Sequence, residues 1–200
     1  MQDLALKIFE FCAVNGIELK LDWVPRSQNV IADEISKISD SDNWEISQEL
    51  FNYLNSLWGP FQVDRFASYE NHKLGRFYTR HWTPGTAGVN ALAYDWGDCL
   101  NWWVPPVRLV SSTLRHIVAC RARGTLIVPC WKSALFWPLL IDSAGYFDYY
   151  VITFLHFRNA GRFLVRNRCS RVFNEKYQGN LLALCIDASR DERVMRVRFH

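Results

Sequence analysis

The sequence predicts an α/β fold with a mainly parallel sheet, and three observations lead to this class. Short apolar runs typical of buried strands recur along the chain. The run 61–66 carries an acidic residue before a polar turn, and the run 99–104 meets a double proline and then an amphipathic helix. Half of the 200 residues are hydrophobic and 15% are aromatic, which suffices to bury a core. We therefore expect an α/β domain over residues 45–200, preceded by a helix–strand–helix fragment over residues 1–38.

The first fragment is predicted from local patterns. Apolar side chains at helical spacing predict a helix over residues 1–16, with Gly16 as its stop. Apolar and charged side chains then alternate over residues 17–23, which predicts a half-buried strand. After a turn, Asn29 is a good N-cap for a short helix. The polar stretch 39–44 favours turns, and we expect it to link the two parts of the chain.

The second part is predicted to alternate strands and helices. Apolar residues recur at helical spacing over residues 44–57 and 110–118, which predicts two helices. Strands are expected over residues 61–66, 99–104, 126–128, 149–154 and 181–186. The last two are continuous apolar runs, which are typical of strands covered on both faces. The polar stretch 69–78 and the stretch 83–88, which contains Pro and Gly, are expected to be loops.

Charge is unevenly distributed along the chain. Residues 1–110 hold 9 Lys or Arg and 14 Asp or Glu, whereas residues 111–200 hold 14 and 6, and the whole chain carries +3. A basic C-terminal half is compatible with nucleic-acid binding, because phosphate attraction does not depend on sequence. The alternative is an ordinary solvated basic surface.

The cysteines and the absence of membrane signals suggest where the chain works. Its six cysteines are scattered without a Cys-x-x-Cys pair, so neither a zinc site nor a disulfide framework is expected. We see no signal peptide and no apolar stretch long enough to span a bilayer. The expected location is intracellular, either cytoplasmic or nuclear, with no membrane partner.

The central segment resembles a known family. The residues that carry the resemblance are Gly59-Pro60-Phe61-Gln62-Val63-Asp64, Ala67-Ser68, Asn71, Arg76-Phe77-Tyr78, Trp96, Pro105-Pro106 and Leu126-Ile127-Val128-Pro129. In this order and spacing they are similar to motifs of phage-type, Dam-like DNA N-6-adenine methyltransferases. The resemblance implies a Rossmann-like sheet, S-adenosylmethionine as the cofactor and nucleic acid as the partner.

The same resemblance points to two groups of site residues. It implies that S-adenosylmethionine lies near Asp64, Ser68 and Asn71. Asp64 would then meet the amino or ribose groups of the cofactor; alternatively, it caps the turn toward Ser68, while Asn71 bonds its own loop. The family's catalytic loop corresponds to Val104, Pro105, Pro106 and Val107.

In that family, the residue before the double proline is Asn or Asp and accepts a hydrogen bond from the adenine amino group. The residue after it is aromatic and stacks on a flipped base. Because Val104 and Val107 can do neither, we predict a domain that keeps the methyltransferase shape but lacks the reaction. Two alternatives remain: an active adenine methyltransferase that uses a displaced group, with Asn101 nearest, and a non-catalytic spacer.

The N-terminal fragment carries a second resemblance. Trp23-Val24-Pro25, Asn29, Ala32-Asp33 and Ser36-Lys37 resemble the end of a retroelement ribonuclease H. Asp33 matches the last of four carboxylates that bind Mg²⁺ there, so metal binding is expected only within a complete site. Residues 101–106 and 136–140 resemble a methyltransferase-like segment in polyproteins of tyrosine-recombinase, DIRS-like retrotransposons. In those polyproteins this segment follows the ribonuclease H. This implies DNA or an RNA–DNA hybrid as the partner.

A cluster of arginines is the last candidate site. It comprises Arg158, Arg162, Arg166, Arg168 and Arg171, with Phe163 among them. Guanidinium groups match phosphate oxygens, and interleaved aromatic rings can stack on bases. We predict a nucleic-acid contact here, against the alternative of a solvated surface.

Overall fold

The structure is a computed structural model that describes residues 2–18, 20, 25, 44–165, 173, 176–190 and 196–199. The chain divides into two units, Met1–Ile38 and Ser39–His200. Most of the strand predicted over residues 17–23, the helix predicted after Asn29, and Asp33 lie outside the described residues.

The first unit contains helix α1 (Gln2–Val14). Gly16 follows it at φ +65°, a left-handed conformation that suits a helix C-terminus, so the predicted stop is confirmed. Several large apolar side chains of this helix are exposed, among them Phe9 at 70% and Val14 at 85%.

The second unit is built on a seven-stranded sheet. Its strands are β1 (Val63–Ala67), β2 (Phe77–Thr79), β3 (Gly88–Val89), β4 (Leu100–Trp103), β5 (Arg123–Pro129), β6 (Val151–Phe157) and β7 (Leu181–Asp187). Their order across the sheet is β3-β2-β1-β4-β5-β7-β6. Every pair from β3 to β5 is parallel, and β7 runs antiparallel to both β5 and β6. The predicted mainly parallel sheet is confirmed.

The structure differs from the prediction in two short strands that were expected to be loops and in the position of β6 at the edge of the sheet. The expected loop over residues 69–78 ends in β2, where Phe77, Tyr78 and Thr79 are all buried, and the expected loop over residues 83–88 runs into β3. Both strands are too short to leave an apolar run in the sequence. The expectation that both faces of the last two strands are covered holds for β7 but is wrong for β6, because β6 is an edge strand with Ile152 exposed.

Helices cover the two faces of the sheet. Helix α2 (Gln48–Trp58) lies on one face, and helix α3 (Val110–Ala119) lies on the other. Consecutive residues of β4 show this, because Trp102 packs in the cluster that contains α2 and Trp103 in the cluster that contains α3. Helix α4 (Trp137–Leu140) adds to the α3 side.

Helix α2 begins later than predicted. The expected helix over residues 44–57 starts only at Gln48, where the Ser47 side chain accepts a hydrogen bond from Leu50 N. Ile46, just before it, instead forms an antiparallel bridge with Leu164. Residues 44–46 are therefore free to line the site described next.

Candidate active site

The strand order creates a crevice between β1 and β4. The chain leaves β1 toward β2 and β3, then returns to the other side of β1 as β4 and continues to β5. Ligands of open α/β sheets bind at such a switch point, outside the carboxyl ends of the strands. An open pocket is present there, and its free space of about 250 Å³ includes open solvent. It is lined by Trp44, Glu45, Ile46, Asp64, Phe66, Asn71, Lys73, Trp102 and Val104.

The pocket unites part of the predicted site. Asp64 and Asn71 from the cofactor group meet Val104 from the double-proline group. The enclosed part of this space is only about 10 Å³, roughly the space of one water molecule. The pocket therefore presents polar side chains at an open surface and is not a closed cavity for a nucleoside-sized ligand.

Asp64 is the buried acidic group of this pocket. The side chain is only 3% exposed, and Oδ2 accepts a hydrogen bond from the backbone N–H of Lys73 at 3.0 Å. Burial raises the pKa of Asp64 to about 6, against the lowering effect of this N–H, that of Phe66 and the Lys73 ammonium. Asp64 thus caps the loop after β1 through the backbone N–H groups of Phe66 and Lys73, rather than at Ser68.

Lys73 connects Asp64 to a second carboxylate. Its Nζ lies 2.9 Å from Oε1 of Glu45, and both side chains are mostly buried. Two carboxylates and one ammonium therefore share the pocket, and the ammonium lowers the pKa of Asp64. The two carboxylates can accept hydrogen bonds from hydroxyl or amino groups of a ligand, and the ammonium can donate to a ligand carboxylate.

Ser68 and Asn71 shape the loop between β1 and β2. Ser68 N donates to Asn71 Oδ1 at 2.6 Å, and Asn71 N donates to Ser68 Oγ at 3.3 Å. The expectation that Asn71 bonds its own loop is confirmed. Asn71 lines the pocket beside Asp64, whereas Ser68 stands behind it as a partner of Asn71.

The double-proline loop follows β4 at the carboxyl edge of the sheet. Val104 is buried in the cluster around α2. The carbonyl of Pro105 accepts a hydrogen bond from Trp44 Nε1 at 2.9 Å, and the carbonyl of Pro106 accepts one from Leu109 N at 2.8 Å. Val107 is partly buried. The loop has apolar side chains, and both of its proline carbonyls are engaged.

Asn101 is not placed to replace the missing polar residue. It is fully buried on the face of β4 opposite Trp102, the residue that lines the pocket. Its Oδ1 accepts a hydrogen bond from Arg65 Nε at 2.7 Å. Its Nδ2 donates to the carbonyls of Trp96, Cys99 and Arg123. The amide is used within the core, so the suggestion of Asn101 as a displaced catalytic group fails.

Two of the five predicted arginines are described. Arg158 and Arg162 are exposed and follow β6, whose end shares the carboxyl edge with β1 and β4. The adjacent residues reach the pocket-lining segment, because Val165 N donates to Glu45 O at 2.9 Å and Leu164 bridges Ile46. The remaining three, Arg166, Arg168 and Arg171, lie outside the described residues.

Sequence patterns missed six residues of the pocket. Lys73 lay in a predicted loop and two residues lay in predicted strands, Phe66 and Trp102. The other three lie at the start of the predicted helix, and they are Trp44, Glu45 and Ile46. Their positions depend on contacts that are distant in sequence, such as the 61 residues between Trp44 and Pro105. Only the Ser47 cap signal separates residues 44–46 from the helix that follows.

The sheet order and the polar pocket at its switch point define a class. A seven-stranded, mostly parallel α/β sheet of this kind is consistent with a methyltransferase fold. Residues 34–189 match the DNA N-6-adenine-methyltransferase (Dam) family, and the chain belongs to this family.

One curated relative supports the same assignment. The Escherichia coli (strain K12) protein "Putative methyltransferase YfdM" is 34% identical over 73 residues, which cover 36% of this chain and 70% of that protein. Family membership implies use of S-adenosylmethionine and suggests binding to nucleic acid. Within the described part of the chain, no helix has the length and apolar character needed to cross a membrane.

Proposed function

We propose that this chain is a Dam-family domain that binds nucleic acid and has lost efficient methyl transfer to adenine. The observation that carries the proposal is the double-proline loop, where Val104 is apolar and the carbonyls of Pro105 and Pro106 are already bonded. The side chain at position 104 therefore offers a target amino group no acceptor, and each proline carbonyl already accepts one hydrogen bond within the protein.

The chemistry explains why this loss is costly. S-adenosylmethionine, when bound, supplies a methyl group on a positively charged sulfur. The adenine nitrogen must be oriented toward that methyl by a hydrogen-bond acceptor. Removing one preorganised hydrogen bond from such a site reduces the rate by about 10²–10³. The absence of a stacking ring at Val107 adds to this effect.

The residues of the pocket fit part of the cofactor. Asp64 and Glu45 can accept hydrogen bonds from its hydroxyl or amino groups, and Lys73 can meet its carboxylate. These three residues would hold S-adenosylmethionine at the switch point. Cofactor binding is thus compatible with a domain that catalyses poorly.

Nucleic-acid binding is supported by the arginines at the same edge. Arg158 and Arg162 are exposed next to the segment that lines the pocket. Residues 111–200 also carry an excess of basic over acidic side chains. A polyanion bound along this edge would pass close to the switch point.

Methyl transfer and cofactor binding, measured together, test the proposal. Tritiated S-adenosylmethionine and adenine-containing DNA are incubated with the wild type, with Val104→Asn/Val107→Tyr, and with Val118→Asn as a control on the partly exposed side of α3. We expect transfer near background for the wild type and the control. Calorimetry of each protein with the cofactor shows whether the pocket binds.

The alternatives give different results. Robust transfer by the wild type supports an active adenine methyltransferase and contradicts the proposed loss. A wild type that binds neither cofactor nor DNA at low salt supports a non-catalytic spacer. Transfer gained by the double variant, but not by Val118→Asn, localises the defect to the double-proline loop.

We further propose that the chain derives from a DIRS-like retrotransposon polyprotein and acts in the cytoplasm or nucleus. The support is the resemblance of residues 1–38 to the end of ribonuclease H, with Asp33 as one of its carboxylates. Because Mg²⁺ catalysis needs a cluster of carboxylates, we expect no cleavage of a labelled RNA–DNA hybrid by this chain alone. Cleavage that disappears in Asp33→Asn would contradict this.

A further inference from the structure

The Trp44 indole lies in an aromatic slot beside the double-proline loop. Its side chain is 2% exposed, and its N–H donates to the carbonyl of Pro105 at 2.9 Å. One neighbour is Phe173, with ring centroids 4.9 Å apart and planes inclined by 30°. Phe173 stacks in turn on Trp131, with centroids 5.5 Å apart. We call the space bounded by Phe173 and the Pro105 carbonyl the Trp44 slot.

The backbone around Trp44 is tied down on both sides of the pocket. Ser47 N donates to Phe163 O at 2.8 Å, and Ile46 forms a bridge with Leu164. Between them, Glu45 pairs with Lys73. Trp44 is thus anchored at the border between the cofactor pocket and the double-proline loop, and it lines that pocket.

The contacts of the indole are those that a purine base would make. Both are flat bicyclic rings of similar size, and both favour the face of an aromatic side chain. The indole N–H and an exocyclic amino group are both donors to a backbone carbonyl. A base that replaced the indole would keep the tilted ring contact with Phe173 and a hydrogen bond to Pro105.

We propose that the Trp44 slot is a purine-binding site that the chain fills with its own Trp44. This inference rests on the proposed function, since it concerns the same double-proline loop. While Trp44 occupies the slot, nucleic acid binds at the edge of the sheet without inserting a base. A wild-type domain therefore does not distinguish an adenine from an abasic position in an oligonucleotide.

A second buried tryptophan provides the control. Trp96 is fully buried, and its N–H also donates to a backbone carbonyl, that of Ala91, at 2.9 Å. It packs against the rings of Trp103 and His116 on the α3 side of the sheet. Removal of either indole takes away the same side-chain volume and frees one carbonyl acceptor, but only the space left by Trp44 adjoins the double-proline loop.

The experiment compares Trp44→Gly with Trp96→Gly. Indole and free adenine are each titrated against both variants, with thermal shift and calorimetry as measurements and circular dichroism as the test of folding. We expect indole to raise the Tm of both variants. Adenine should raise the Tm of Trp44→Gly alone and bind it at least about 10-fold more tightly than it binds Trp96→Gly. Equal adenine binding by the two variants, or none by either, overturns the proposal.

Trp44→Leu provides a test that does not depend on the large cavity. Leucine keeps apolar volume but removes the ring and the N–H, so the slot is partly open. Single-stranded oligonucleotides with one adenine or one abasic position should bind the wild type equally. Trp44→Leu should prefer the adenine oligonucleotide by about 10-fold, and equal binding contradicts the slot.

These measurements are independent of methyl transfer. Adenine is titrated without S-adenosylmethionine, so an active wild-type enzyme would refute the proposed loss of activity and leave the slot test readable. Conversely, failure of the adenine titration leaves nucleic-acid binding at the arginines untouched.

Discussion

The guanidinium of Arg65 donates from Nε to the side-chain oxygen of Asn101 at 2.7 Å, and both side chains are almost fully buried. A neutral amide thus accepts a hydrogen bond from a buried cation, between neighbouring strands of the sheet. Burial lowers the pKa of Arg65, and the rings of Tyr78 and Trp96 lie 4.8 and 5.6 Å from its central carbon. The pair joins β1 to β4 on the face opposite the pocket.

Asn101→Ala should therefore destabilise the domain strongly. The substitution removes the acceptor of Arg65 Nε and the donor that serves three backbone carbonyls. Leaving a buried donor without its acceptor costs about 1–3 kcal/mol, and more where the donor is charged. Urea unfolding measures the change. Asn52→Ala, on the exposed side of α2, is the control and should stay within about 0.5 kcal/mol of wild type. An equal effect of both substitutions contradicts the role of the buried pair.

Asp64 should make the stability depend on pH. Its folded-state pKa, about 6, lies above the ordinary value of 3.8 because of burial. The folded chain therefore binds more protons between these values, so the free energy of unfolding falls as pH rises through this window and then levels off. A shift of this size corresponds to about 3 kcal/mol. Asp64→Asn should remove this fall, as measured by urea unfolding from pH 4 to 7.

Asp142 provides a control of opposite sign. The backbone N–H of Tyr146 lowers the pKa of Asp142, and Arg196 pairs with it at 2.9 Å. Ionised Asp142 therefore adds to the free energy of unfolding above its ordinary pKa, and this stabilisation is lost as pH falls through the folded-state pKa. Asp142→Asn should therefore leave the fall between pH 4 and 6 intact. If it instead abolishes that fall, Asp64 is not the group responsible.

Lys73→Met should raise the pKa of Asp64 further. The Lys73 ammonium lowers that pKa in the wild type, and methionine keeps the backbone N–H that bonds Asp64 Oδ2. Carbon-13 NMR of the aspartate carboxyl groups follows the titration. Lys132→Met is the control, since Lys132 lies against the Phe199 ring and does not act on Asp64. A lower or unchanged pKa in Lys73→Met would contradict the electrostatic picture of the pocket.

The two described arginines should contribute to nucleic-acid affinity. Each phosphate contact adds about 0.7–0.9 to the slope of log affinity against log salt. Arg158→Gln/Arg162→Gln should flatten that slope by up to about 1.8 if each residue neutralises one phosphate. Arg123→Gln is the control, because Arg123 is exposed at the opposite edge of the sheet. Identical slopes for all three proteins would leave the arginines as a solvated surface.

The sequence predicts those features that depend on local pattern. β4, α3 and β7 lie close to their expected positions, because long apolar runs and helical spacing survive in any context. β2 and β3 were missed, since strands of three and two residues are defined by pairing rather than by composition.

The candidate site likewise combines residues that the sequence indicates with residues whose role depends on contacts between distant parts of the chain. Asp64, Asn71 and Val104 were found from the resemblance to the adenine-methyltransferase family. The role of Trp44 was not predictable, because it depends on a hydrogen bond across 61 residues and on packing against Phe173. The buried pairing of Arg65 with Asn101 was not predicted either, since charged and amide side chains in strands ordinarily indicate a solvated face.

The position of β7 in the sheet has a consequence for synthesis. Among the strands of the described residues β7 comes last in chain order, yet it lies between β5 and β6 and is mostly buried. A growing chain therefore presents two unpaired strand edges after β6 has been made. At about 5–20 residues per second, this interval lasts a few seconds on the ribosome. During that time, a strand from a neighbouring copy can occupy the place of β7, and the nascent domain is most open to misassembly.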